Sequence, residues 1–328
     1  MKFWILIAAI GFSARAFACA SCGCTLSSDW QTTTTPGWQL DLRYDFVNQT
    51  QLRSGTSSIR ADDASRLTND GNRQEIEKYT ANNYVTLTGD YTFSSSWKVE
   101  AQVPWIMRKH STLGTESDGA TAGAGGGQYD SNTSSLGDMK LLGRFQGFNE
   151  QHNWGLIGGV KLPTGSHTLT GRSTDSTVSG DDLNPKIDRG LQPGTGTADL
   201  IVGIYYADAL NKDWDYYTQD LYQFALNSVD DYRPGNGLNL NFGVRYMPLA
   251  YIQPELQLNA RYVQKDSGVQ ADTISTGGTL FYLSPGAIVP LGEKAAVYAF
   301  FQLPLYQNVQ GVQLTPTYTA SLGARYEF

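Results

Sequence analysis

From Tyr318 to Phe328 every second residue is apolar: Tyr318, Ala320, Leu322, Ala324, Tyr326 and Phe328. Thr319, Ser321, Gly323, Arg325 and Glu327 lie between them. Successive side chains of a strand point to opposite faces, so this stretch reads as a strand with one apolar and one polar face. Trp38, Leu40, Leu42, Tyr44 and Phe46 repeat the pattern near the other end, alternating with Gln39, Asp41, Arg43 and Asp45. After residue 18 no apolar run approaches the ~20 residues of a spanning helix. No sustained helical period appears either.

A soluble sandwich also alternates, with its apolar faces packed together. Two features favour a membrane barrel instead. Trp38, Trp97, Trp105, Trp154, Trp214 and Tyr251 fall at strand ends, as an interfacial girdle requires. Connection lengths also alternate, short near residues 95, 150, 212, 250 and 293, longer at 50–78, 111–134, 168–195, 229–236, 266–275 and 309–312. The sequence thus predicts an all-β fold, a transmembrane antiparallel β-barrel of about 12 strands over residues 37–328. Bacterial barrels have short periplasmic turns and longer outer loops. With an even strand number, both termini are then periplasmic, and the location is the bacterial outer membrane. The aromatic last residue, Phe328, resembles the signature read by the outer-membrane assembly machinery, an expected partner beside the lipid bilayer. Pro104, Pro163 and Pro304 fall inside expected strands, where a missing N–H calls for bulges or strand exits.

Strands four to six carry "SSLGDMKLLGRFQGF" (134–148), "WGLIGGVKLPTGSH" (154–167) and "GTGTADLIVGIYYADAL" (194–210). This sequence of motifs resembles the outer-membrane, transporter-like family catalogued under the MetA pathway of phenol degradation. The resemblance implies a barrel tied to uptake of small, often aromatic or apolar molecules. It maps onto Asp138, Lys161, Gly165 and Asp199, for which tight turns and lumen salt links are the structural reading.

With the apolar face toward lipid, the opposite face lines the lumen. Its expected charged residues include Asp41, Arg43, Asp45, Lys140, Arg144, Lys161, Arg245, Arg261 and Arg325. Arg325, on the last strand, is placed to meet Asp41 or Asp45 of the first when the barrel closes. These charges either neutralise one another in a narrow, filled barrel, or form a basic ladder along an aqueous path that attracts anions. The function expected is a channel or transporter passing a small-molecule substrate through a narrow polar lumen. Catalysis usually needs a base such as histidine. His110, His152 and His167 have no convincing nucleophile motif beside them and read as surface residues, so no enzyme is expected.

Met1–Ala18 reads as an export signal, with Lys2, an apolar run from Phe3 to Phe12, and small residues Ala16 and Ala18 before a cleavage point. Acids outnumber bases 31 to 24, which argues against nucleic acid. All three cysteines, Cys19, Cys22 and Cys24, follow the signal in a periplasmic segment, residues 19–36. Four readings fit them: a soft-metal site for Cu or Zn, a redox or intermolecular disulfide, lipidation of Cys19, or a tether to a partner. They support an alternative function, an outer-membrane anchored metal- or thiol-handling protein that meets a periplasmic redox or metal-carrier protein.

Overall fold

The computed structural model describes residues 35–64, 76–114, 129–174, 176 and 179–328. Residues 1–18, expected as an export signal, and the three cysteines lie outside these residues. In chain order the strands are β1 (Gly37–Gly55), β2 (Ser57–Ser58), β3 (Ile76–Ser94), β4 (Trp97–Gly114), β5 (Tyr129–Leu136), β6 (Lys140–Phe145), β7 (Trp154–Lys161), β8 (Arg172–Ser173), β9 (Asp199–Ala209), β10 (Trp214–Ala225), β11 (Gly237–Tyr246), β12 (Gln253–Val263), β13 (Gly278–Pro290) and β14 (Ala295–Glu327). Every strand pairing is antiparallel, and β1 pairs with both β3 and β14, closing the wall.

The closed wall has 11 strands when β5 and β6 count as two parts of one interrupted strand and β14 counts as one. The chain crosses it twelve times, because β14 folds back at Gly311, whose φ is +64°. The first arm of β14 pairs with β13 and the second with β1. Glu327 N–H donates to Lys294 O at 2.7 Å, bringing the ends of the two arms together. Short turns and both ends of the barrel sequence gather at one rim, with Phe328 N–H donating to Trp38 O at 2.9 Å. In outer-membrane barrels that rim faces the periplasm.

Burial is inverted relative to a soluble protein. In β1, Leu42 is 52% exposed while Asp41 is 2% exposed. The same holds around the wall: Val99, Leu141, Leu156, Val202, Phe242, Leu258 and Leu322 are exposed, and the alternating polar positions are buried. An apolar belt outside and polar groups inside is the arrangement a bilayer demands. Aromatic pairs mark the short-turn edge of the belt: Trp38 on Tyr91 at 4.8 Å, Trp97 on Phe145 at 4.8 Å, Phe148 stacked on Trp154 at 4.3 Å, and Trp214 on Tyr246 at 4.9 Å. β10 departs from the rule. Asp220 stands opposite the exposed Ile204 and Leu240 and therefore shares their lipid-facing side. The Thr218 hydroxyl donates to it at 3.3 Å.

The prolines sit where the ladder is already broken. Pro104 lies opposite the gap between β5 and β6, and its carbonyl accepts from Gly137 N–H at 2.8 Å. Pro304 adjoins the register shift at Phe281/Tyr282. Pro163 is outside the sheet: β7 ends at Lys161, six residues earlier than the alternation suggests, and the chain leaves the wall there before β8 rejoins it.

Candidate functional site

The motif residues converge on one buried hub. Lys161 stands directly across from Lys140 on one side and Asp199 on the other. Its ammonium donates to Asp138 Oδ2 at 2.7 Å, Thr195 Oγ1 at 2.5 Å and Thr197 O at 2.8 Å, and lies 3.3 Å from Asp199 Oδ1. Asp138 also accepts from the backbone N–H groups of Gly165 and Thr195, each at 3.0 Å. A buried charge persists only when paired and hydrogen-bonded, and here one lysine holds two carboxylates, one from the gap between β5 and β6 and one from β9. The glycines permit the convergence. A Cβ on Gly194 would lie 2.4 Å from Gly165 O, and one on Gly165 would lie 2.8 Å from Gly194 Cα.

From this hub the described residues of segment 162–198 both rejoin the wall and reach the inner face. Its strand β8 pairs with the outer part of β5. Ile187 and Leu191 pack on the buried ring of Tyr129. The Gln192 amide bonds Leu169 N–H and O and Ile187 O at 2.9–3.0 Å, tying the segment to itself. Arg108, on the inner face of β4, donates to Leu191 O and Asn82. Arg189 stacks on Tyr232 at 4.6 Å and bonds Asp230 at 3.2 Å, linking segment 162–198 to the loop after β10. That loop is joined in turn to the one after β12: Asp266 accepts from Tyr232 Oη at 2.9 Å and Gly235 N–H at 3.0 Å. Burial, together with Asp188 and Asp272, pushes the Asp266 carboxyl up to about 7; burial and Asp272 push Asp188 up to about 6.

Beneath this roof is a cavity of about 350 Å³. Its walls carry the cations Arg43, Arg108, Lys140, Lys161, Arg189 and Arg261 and the acids Asp45, Asp138, Asp199 and Asp266. Pro104, Ile106 and Val263 supply apolar surface. Arg43 contacts Asp45 at 2.9 Å, and Arg261 donates to Asn239 at 2.9 Å.

Toward the short-turn rim the lumen is filled. Asp41 and Arg325 stand opposite each other in the closing seam and pair at 3.4 Å. Tyr298 Oη reaches both Asp41 oxygens, at 2.8 and 3.0 Å. Arg245 pairs with Asp215, Lys98 with Asp90 at 3.4 Å, and Arg144 lies over the Tyr205 ring at 4.3 Å. Tyr217, Ile288, Tyr298 and Phe300 form an apolar cluster among these charges. Three of its rings lie against glycines of the inner wall: a Cβ on Gly243, Gly323 or Gly286 would come within 2.1–2.3 Å of Tyr217, Tyr298 or Phe300.

The nine charged residues expected on the inner face therefore divide. Arg43, Asp45, Lys140, Lys161 and Arg261 border the cavity; Asp41, Arg144, Arg245 and Arg325 belong to the filled part. Sequence reasoning passed over Arg108, although it shares the parity of Lys98 and Glu100, and over Arg189 and Asp266, which lie in loops without periodicity. His110 is a correction to the surface reading. It is fully buried, its Nδ1 is 2.8 Å from Thr80 Oγ1, and its ring packs on Tyr129. The cysteines proposed for metal or lipid lie outside the described residues, and no cluster suited to a metal occurs among those residues.

Among solved structures, the COG4313 outer membrane channel from Pseudomonas putida F1 is similar, with a TM-score of 0.62 and 13% identity over 92% of this chain and 99% of that one. The Ralstonia pickettii toluene transporter TbuX scores 0.48 at 14% identity over 90% of each chain, too low to argue from. Likeness at such identity shows a shared fold alone. No family model matches the chain, and no curated protein sequence is similar to it. The inverted burial, the aromatic girdle and the closed antiparallel wall, with a fold shared with an outer-membrane channel, make this chain a β-barrel of the bacterial outer membrane.

Proposed function

We propose that the protein is an outer-membrane channel that passes a small solute, with the roofed cavity as its holding chamber. The observation that carries this reading is the cavity itself: a space of about 350 Å³ kept open between a filled inner half and an inward-folded segment, and lined by charged side chains. A barrel serving only as an anchor has no need of such a chamber. Passage requires the aromatic and ion-pair filling to shift on one side, while segment 162–198 narrows the way in on the other. The motif resemblance to a transporter-like family supports the same reading, as does the fold shared with a channel.

The test is solute flux into liposomes carrying the purified barrel, with bilayer conductance recorded alongside. Wild type should give small, intermittent conductance, and deleting residues 168–190 should enlarge it severalfold in protein that still migrates as a folded barrel before boiling. A folded barrel that stays silent in both forms would overturn the channel.

A further inference from the structure

We infer that the cavity is a binding site for a small organic carboxylate, oriented with its charged end toward the filled half of the lumen; this rests on the channel reading. Three observations lead there. First, Lys140 borders the cavity, and among the described residues its ammonium makes no hydrogen bond or ion pair, although its cross-strand neighbour Lys161 is held by two carboxylates. Second, Arg261 on β12 also borders the cavity, and its charge bears on Lys140 more strongly than that of Lys161 or of the acids Asp199 and Glu100. Two cations facing one space repel each other, and an anion between them converts that repulsion into two charge-assisted contacts. Third, the apolar wall is displaced to one side of these cations. Lys140 stands opposite Gln102; Pro104 and Ile106 follow at the next two inward positions of β4, toward the outer rim. Val263 holds the matching place above Arg261 on β12. Inorganic anions would use the cations and leave this apolar surface wet. A carboxylate with a compact apolar body uses both, and the cavity is at the small end of the range for ligand pockets.

Benzoate is a suitable probe, with benzamide as its neutral isostere and acetate as the anion without a body. Calorimetry on the folded barrel in detergent micelles should show benzoate binding at least tenfold tighter than either control. Lys140→Met should weaken benzoate at least tenfold, and Arg261→Gln should do likewise, with heat-modifiability retained in both. Leu141→Ala, on the lipid side of the same strand, should bind as wild type does. Equal binding of benzoate and benzamide, no benzoate binding to folded wild type, or full benzoate affinity in folded Lys140→Met would each overturn the inference. Flux of neutral solutes without benzoate binding would remove this site and leave the channel standing. Benzoate binding in a barrel that passes nothing would do the reverse.

Discussion

The two halves of the lumen are built from the same strands and solve the same problem differently. Toward the short-turn rim, ion pairs such as Asp41 with Arg325 are interleaved with aromatic rings seated on glycines. Toward the outer rim, charges are gathered into one hub around Lys161 and a chain segment is drawn inward, leaving a chamber. The filled half is secured by many cross-strand contacts of modest strength. The chambered half depends on a few buried charges, so it is the half that a single substitution can open.

The largest effect should come from Lys161→Met, which strands Asp138 and Asp199 without their shared cation. Removing one partner of a buried pair costs about 3–5 kcal/mol. Denaturant titration in detergent should register that loss, and conductance should rise as segment 162–198 is released; an unchanged midpoint would show that the hub does not secure the roof. Phe300→Ala attacks the filled half. It should cost about 3 kcal/mol, at the low end for a buried aromatic because neighbouring polar groups can accept water. Its single-channel conductance should rise less than that of Lys161→Met, and a larger rise would reverse the comparison.

Acidity tests the roof alone. The carboxyls of Asp266 and Asp188 lie above their ordinary value near 4 in the folded protein, at about 7 and about 6. A raised acid contributes stability that is full below its unfolded value and is lost as pH rises through the folded one. The loops joined by Asp266 should therefore loosen between pH 4 and pH 7. Hydrogen exchange at Gly235, whose amide bonds Asp266, should quicken relative to core strands over that range. Asp266→Asn should flatten the dependence. The smallest effect belongs to Asp220→Leu, which touches neither half. Replacing a lipid-facing carboxylate should stabilise the barrel by about 1 kcal/mol in bilayers, with conductance unaltered; altered conductance would mean that the lipid face communicates with the lumen.

Much of the wall was legible because its chemistry is periodic. β1 and the second arm of β14 show their faces residue by residue, and that parity brings Arg325 to Asp41 or Asp45; the pair forms with Asp41. Pro104 and Pro304 announced breaks in the ladder that are present at those places. The chamber was not legible in the same way. Segment 162–198 lacks periodicity, so nothing local distinguishes a loop that reaches outward from one that folds inward. Its fate depends on Gly165 meeting Gly194 and on Asp138 accepting from both sides, contacts that span some 30–60 residues. Reading β7 on to residue 167 was the direct result. His110 was misread for a related reason: the outer part of β4 is covered by β5 and Tyr129, a pairing its own sequence does not reveal.

The seam between β1 and β14 also bears on how the barrel comes into being. Gln39 stands opposite Glu327, so the last pairing joins residues separated by nearly 290 positions. Entropy lost in drawing such distant segments together precedes any reward from their contacts, which makes closure a slow step. Until it happens, one edge of β1 and one edge of β14 present unmatched backbone donors and acceptors, open to any other extended chain. The Asp41–Arg325 pair lies in that seam. Its attraction favours the native edge over competitors, so a contact that looks like mere filling in the finished barrel helps decide which strand the first one meets.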